Sequence, residues 1–513
     1  QMSKPAPGPF LRAFHHATCE STSNVPERRF SPSSNQGRVQ LPQGVRRSAT
    51  TLGSVARRLT DAYERSTMAC GLLGIELFGV GLRGMAMMES SQLTYTRRDW
   101  LRAAAALASV HALSPPGFAR QAATAANPPL VGFDVRAEVA HQQLDPEFCW
   151  FHPRVAALPG YGRDGQPAVV MTLLKHLVAD DHYSGLYFMR TDDLGATWVG
   201  PTEIPELAWR SGGDGITIAV ADVTPGWHAP SARMLAIGAK ILYTATGNFT
   251  SLEQLPRSYE TSYATYDPQA NSWSTWRELE VPETDGKFRR VGCGCSQWLV
   301  QSDGTLLVPV AFQPELGGDY QATILHCAFD GRTMQYLRHG DELALVGGRG
   351  FAEPSLVSFR GRYYLTLRND ARGYVTVGDD GLHFEPVRPW TFDDGEDLGS
   401  YNTQAHWLAH GEGLFLTYTR RGADNDHIPR NRAPLFMAQV DPERLQVIRA
   451  TEKVVLPERG VMLGNFGAAA VTSGEAWVTD AEFISRLVDP LAGTRPHPRG
   501  ADGTVWLGRV TWQ

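Results

Sequence analysis

The sequence predicts an all-β fold: a propeller of six or seven blades, with a signal peptide ahead of it. Three observations predict it. The composition suits many short strands, such strands recur between turn residues, and two hairpin turns carry distinctive side chains.

Gly (51) and Pro (33) are plentiful, Trp (13) and Tyr (16) are numerous, and charged residues make up only 20% of the 513 residues, so a large core with many turns can form. Aromatic side chains also stack on sugar rings, although most must serve the core. A net charge of −6 leaves no basic footprint for nucleic acid, so no nucleic-acid partner is expected. The six cysteines, Cys19, Cys70, Cys149, Cys293, Cys295 and Cys327, match neither a disulfide framework nor a zinc knuckle. They read as small buried hydrophobes.

Residues 1–95 are rich in Ser, Arg, Pro and Gln and have no sustained period. The pattern then changes. Arg97-Arg98 opens a charged stretch, an Ala/Leu-rich run covers Ala103 to Leu113, and Ala123-Thr124-Ala125 offers a cleavage site. A charged region, a short apolar region and an A-x-A site in that order describe a signal peptide over 96–126, of the twin-arginine kind. The apolar run is too short to span a bilayer. A signal belongs at an N-terminus, so translation is expected to start near Met85, Met87 or Met88, with 1–95 upstream of it. The mature chain, 127–513, is expected to be periplasmic or secreted, with no membrane attachment after cleavage.

From Pro128 onward, β-rich runs recur at 167–174, 186–190, 234–244, 305–311, 356–367, 414–418 and 435–440. Gly, Asp, Asn and Pro separate them, and no long run has a helical period. Four-stranded blades of about 50–65 residues fit the available length six or seven times.

Thr191-Asp192-Asp193-Leu194-Gly195-Ala196-Thr197-Trp198 follows a strand. In such a turn the Asp accepts backbone N–H groups, the Gly takes a positive φ, and the Trp packs beneath the hairpin. The segment resembles the Asp-box of the sialidase superfamily, S-x-D-x-G-x-T-W, with Thr for Ser. Asp379-Asp380-Gly381-Leu382-His383-Phe384 is a degenerate copy, and Tyr266-Asp267 to Asn271-Ser272-Trp273 is another repeat-like turn. The Asp-box marks a fold and carries no catalysis.

The resemblance implies a site at the propeller's central funnel. Phe151-His152-Pro153-Arg154 is similar to the sialidase F-R-I-P element, which implies that Arg154 binds a substrate carboxylate and leaves His152 as an added group. Asp180 and Asp181 precede the turn, where the family places its general acid/base; Asp181 takes that role. Glu353-Pro354-Ser355-Leu356-Val357, followed by Arg368, is similar to the strand of the family's catalytic Glu and its second Arg. Asn431-Arg432-Ala433-Pro434-Leu435 resembles the strand of the third Arg, with Arg420, Arg421 and Arg430 as competitors. The family's nucleophile is a Tyr. Where it is expected, this chain reads Gly464-Asn465-Phe466-Gly467. Tyr401 or Tyr418 could substitute spatially.

That departure keeps three readings open. The first is an exo-acting glycosidase that removes a terminal acidic sugar, with Arg154, Arg368 and Arg432 holding its carboxylate and Glu353 and Asp181 moving protons. The second is a lyase or hydrolase acting beside a uronic acid through a histidine. Here His152 is foremost among His176, His182, His228, His406 and His427, and His228, Tyr401 and His406 are expected to help bind substrate. The third is a carbohydrate-binding propeller without catalysis. All three take a glycan or oligosaccharide partner. No metal motif and no cofactor motif occurs, and Gly347-Gly348-Arg349-Gly350 lacks the Lys and helix of a phosphate loop.

Overall fold

The computed structural model describes residues 128–177, 181–248, 255–283, 285–484 and 502–513. All described residues belong to one unit, within Arg120–Gln513. The expected upstream segment 1–95, the expected signal peptide 96–126, Asp180, Cys19 and Cys70 lie outside the described residues. Among the described residues, no helix is long and apolar enough to cross a membrane.

The described chain is all-β, and its sheets are arranged as in a propeller. Consecutive strands form antiparallel meanders. One sheet runs Cys149–Leu158, Ala168–His176, Tyr183–Thr191, Val199–Glu203. Another runs Ala352–Phe359, Arg362–Arg368, Tyr374–Gly378, Arg388–Pro389. A five-stranded sheet begins with His406–His410, Gly413–Tyr418 and Leu435–Asp441. The run at 356–367 proves to be two strands. Arg360 and Gly361 take φ of 51° and 76° and reverse the chain between them.

An eleven-stranded sheet holds Ile216–His228, Arg233–Tyr243 and Tyr259–Asp267 on one side and Leu306–Phe312, Gln321–Phe329 and Met334–His339 on the other. The halves meet through Val291–Gly292, which pairs in parallel with Tyr259–Asp267 at a single position, Val291 with Glu260. Among the described residues, every other pairing between two named strands is antiparallel. The last sheet, Gly467–Thr472, Glu475–Ala481 and Thr504–Trp512, takes Phe133–Gln142 from the start of the described chain as its outer strand. That closure leaves the ring of sheets without a loose end.

Apolar residues of neighbouring sheets form the core between them. Trp150, Val169, Met171 and Leu173 pack with Trp477, Val505 and Leu507. Leu307, Ile324 and Leu356 pack with Leu365 and Leu367. Strands covered on both faces read as continuous apolar runs, such as Leu306–Phe312, which is buried throughout. At the centre, Gln297 Nε2 donates to the carbonyls of Trp407 and Ala468, both at 3.0 Å, while its Oε1 accepts from Trp407 N at 2.6 Å. One half-buried amide thus joins three innermost segments.

The turn after Tyr183–Thr191 is held by its own polar side chains. Asp193 Oδ1 accepts from Thr191 Oγ1 at 2.9 Å and from Thr197 N at 2.8 Å. Gly195, at φ 80°, donates its N–H to Thr191 Oγ1 at 2.8 Å. Trp198 lies 6.0 Å from Trp477, ring to ring, in the core shared with the last sheet.

Candidate active site

The innermost strands converge on one cavity of about 350 Å³. Their backbones share an unusual feature there. His152, Asp222, Cys295, Glu353 and Asn402, one from each of five successive innermost segments, have φ of 51°, 58°, 57°, 44° and 49°. Left-handed conformations cost a residue with a β-carbon roughly 1–3 kcal/mol each and persist where the surroundings enforce them. At His152, Asp222 and Glu353 the kink falls inside a register shift, between Phe151 and Arg154, Ala221 and Thr224, and Ala352 and Ser355. A bulge of this kind re-aims a side chain that the strand's alternation would point elsewhere. All five residues line the cavity.

Basic and acidic groups face one another across it. Arg368 donates through Nη1 to Glu353 Oε1 and through Nη2 to Asn402 Oδ1, the latter at 2.7 Å. Arg349 grips Asp370 with two bonds, of 2.9 and 3.0 Å. Arg432, 5% exposed, donates to the carbonyl of Asn402, and its Nε has no partner. Burial, and then repulsion from Arg368 and Arg430, push against its charge. No carboxylate of the described residues pairs with it. Glu353 keeps a buried oxygen, Oε2, without a hydrogen bond.

On the opposite wall, His152 Nδ1 lies 2.9 Å from Asp222 Oδ1, and His152 Nε2 lies 3.8 Å from Cys295 Sγ. Burial pushes the His152 pKa down, so the ring is neutral at neutral pH. Burial alone would raise the Asp222 carboxyl, but His152 and Arg154 hold it below the usual carboxylate range. Donor atoms of His152, Asp222 and Cys295 lie within 4.8 Å of one another, close enough for three ligands of one cation. Tyr259 and Tyr320 add two phenols to the lining, and Asp181, about half exposed, completes it. A β-carbon on Gly294 would lie 2.1 Å from the Tyr259 hydroxyl and 3.1 Å from Asp222 Oδ2, so glycine there makes room for that phenol.

Of the residues singled out in the sequence as site candidates, His152, Asp181, Glu353, Arg368, Arg432 and its competitor Arg430 meet in this cavity. Arg154 and His406 do not line it. They line a second cavity of about 180 Å³. Arg154, 1% exposed, donates to the carbonyls of Phe466 (3.2 Å) and Val223 (3.4 Å), because the kink at His152 turns His152, in place of Arg154, toward the cavity. His406 Nδ1 is 2.9 Å from Ser355 Oγ. His228 bridges Ser231 Oγ (2.7 Å) and the Gly304 carbonyl (2.9 Å), and Tyr401 donates to Asn431 Oδ1 at 2.7 Å; neither lines a described cavity. Tyr418 is core, with its hydroxyl on Glu452. Asn465 does line the cavity, on a loop anchored by Gly464 N donating to Asp480 Oδ2 at 2.6 Å.

Sequence reasoning missed Asp222, Tyr259, Arg290 and Arg349. Asp222 interrupts the apolar alternation of Ile216–His228, which is the one signal that marked it.

No family model matches this sequence, and no curated protein does. Solved structures do. A protein of unknown function from Dyadobacter fermentans is 14% identical, with a TM-score of 0.52; the alignment covers 74% of this chain and 99% of that one. The chain has a sialidase-like fold. A Trypanosoma rangeli sialidase bound to 2,3-difluorosialic acid as a covalent intermediate is 13% identical, with a TM-score of 0.50, over 74% of this chain and 59% of that one. At these identities the likeness establishes the sialidase-like fold alone.

Proposed function

We propose that this chain is an exported, exo-acting glycosidase that removes a terminal acidic sugar from glycans. One observation carries the reading. Arg432 is a buried guanidinium with no carboxylate of its own, beside Arg368, on the wall of the principal cavity. Glu353 and Asp181 offset its charge only from a distance, and a buried cation without an ion-pair partner is costly. A sugar carboxylate entering the cavity would relieve that cost, and a guanidinium fork matches a carboxylate's two oxygens.

In this reading Arg432 and Arg368 orient the carboxylate. Asp181, on the exposed side, protonates the glycosidic oxygen, and Glu353 offers its unpartnered Oε2 to the charge that develops at the sugar ring. Splitting the eleven-stranded sheet at its one parallel pairing gives six blades. The turn at 191–198 then serves as an Asp-box, residues 96–126 export the chain by the twin-arginine route, and the mature protein is periplasmic or secreted. Incubation of residues 127–513 with sialosides and uronate-capped glycans tests it: release of the terminal acidic sugar is expected.

The His152–Asp222 pair favours a second reading. A neutral imidazole oriented by a carboxylate is a competent general base, as a uronate-directed lyase requires. Its product would absorb in the ultraviolet through a new carbon–carbon double bond.

A further inference from the structure

We propose that Cys295 is a nucleophilic thiol activated by His152, with Asp222 as the residue that positions the imidazole. The three come from separate segments, so no sequence spacing could reveal them. The imidazole stands between its neighbours: Nδ1 faces Asp222 Oδ1 at 2.9 Å, and Nε2 faces Cys295 Sγ at 3.8 Å. One nitrogen faces each neighbour, which is the order nucleophile, base, orienting carboxylate. With the ring proton on Nδ1, toward the Asp222 carboxylate 2.9 Å away, the Nε2 lone pair faces sulfur.

The backbone holds this order in place. All three residues sit at left-handed kinks, and Cys295 N donates to the Asp222 carbonyl at 2.9 Å. All three of Cys293, Cys295 and Cys327 are buried, but Cys295 lines the cavity and the other two line no described cavity. Burial disfavours a resident thiolate at Cys295, and Arg154 partly offsets this. The thiol therefore loses its proton as it reacts, to a base that is itself neutral.

The inference rests on the glycosidase reading where it names a substrate atom. The sulfur bonds to the anomeric carbon as that carbon's bond to the glycosidic oxygen breaks. The thiol proton passes to His152 Nε2, and the leaving oxygen takes a proton from Asp181. Water, deprotonated by Asp181, then attacks the same carbon, and the departing sulfur recovers its proton from His152. Cys295 thereby fills the role left open by Asn465.

Alkylation by iodoacetamide tests the thiol without any sugar. The thioether forms, iodide leaves and the proton passes to His152; peptide mapping by mass spectrometry follows each cysteine of the full chain. Cys295 is expected to react first. His152→Gln should slow it roughly 100-fold, at the low end of what loss of a general base costs, and Asp222→Asn should slow it less. Both variants are checked by thermal unfolding; if His152→Gln does not fold, Asp222→Asn carries the test. Alkylation of Cys295 no faster than Cys293, or unchanged in the folded variants, would overturn the assignment. Sugar release that survives in Cys295→Ser would also overturn it and leave the acidic-sugar reading standing.

Discussion

Arg368 and Arg432 meet at Asn402: Arg368 donates to its side-chain oxygen and Arg432 to its backbone carbonyl. Asn402 is itself held at a left-handed φ of 49°, so the same kinked residue spaces two guanidinium groups that would otherwise repel. Among the described residues only Arg368 of the two has carboxylate partners, Glu353 and, at 3.7 Å, Asp370. The asymmetry separates binding from stability. Arg432→Met should raise KM for an acidic substrate roughly 10- to 100-fold, the worth of charge-assisted hydrogen bonds. It should leave Tm unchanged or higher, because a lone buried charge is removed. Parallel kinetics and thermal unfolding check this; a lower Tm with unchanged KM would mean that Arg432 is structural.

Glu353→Gln has a different signature. The amide preserves shape but removes the charge that offsets Arg368 and the acceptor Oε2. The expected result is a fall in kcat of roughly 100-fold or more with little change in KM, measured by steady-state kinetics at one pH.

Gly294 should tolerate no side chain. In Gly294→Ala the new methyl would collide with the Tyr259 hydroxyl and crowd Asp222. Overpacking of this kind costs about 1–3 kcal/mol, and here it would also displace Asp222 from His152. Denaturant unfolding measures the first effect, and the rate of Cys295 alkylation measures the second.

Asp480 gives the fold a pH dependence. Burial raises its pKa to about 7 from 3.8, against the pull of backbone N–H groups from Gly464 and Ala481. A folded-state pKa above the unfolded one favours the protonated acid. The stability it contributes is full below pH 3.8 and is lost as pH rises through about 7. A shift of this size corresponds to at most roughly 4 kcal/mol across that window. Asp480→Asn should flatten the dependence of unfolding free energy on pH between those limits. An equally steep profile in the variant would show that Asp480 does not carry it. The loop it anchors bears Asn465, so activity should follow the same window.

The all-β class was legible because strands buried on both faces leave continuous apolar runs, as Leu306–Phe312 does. The turn at 191–198 was legible because its hydrogen bonds are local. Glu353, Arg368 and Arg432 were found through resemblance and do share a cavity. The reversed orientation of His152 and Arg154 was not legible, since it depends on a φ that neither residue type prefers. The grouping of His152, Asp222 and Cys295 was hidden for another reason: sheet closure brings together residues far apart in sequence.

Sugar release by residues 127–513 from a panel of sialosides and uronate-capped glycans tests the proposed activity directly. The expected result is release of the terminal acidic sugar by the parent chain, its loss in Glu353→Gln, and release by Arg432→Met only at much higher substrate concentration. Release of neutral sugars alone, or acidic-sugar release indifferent to both substitutions, would contradict it.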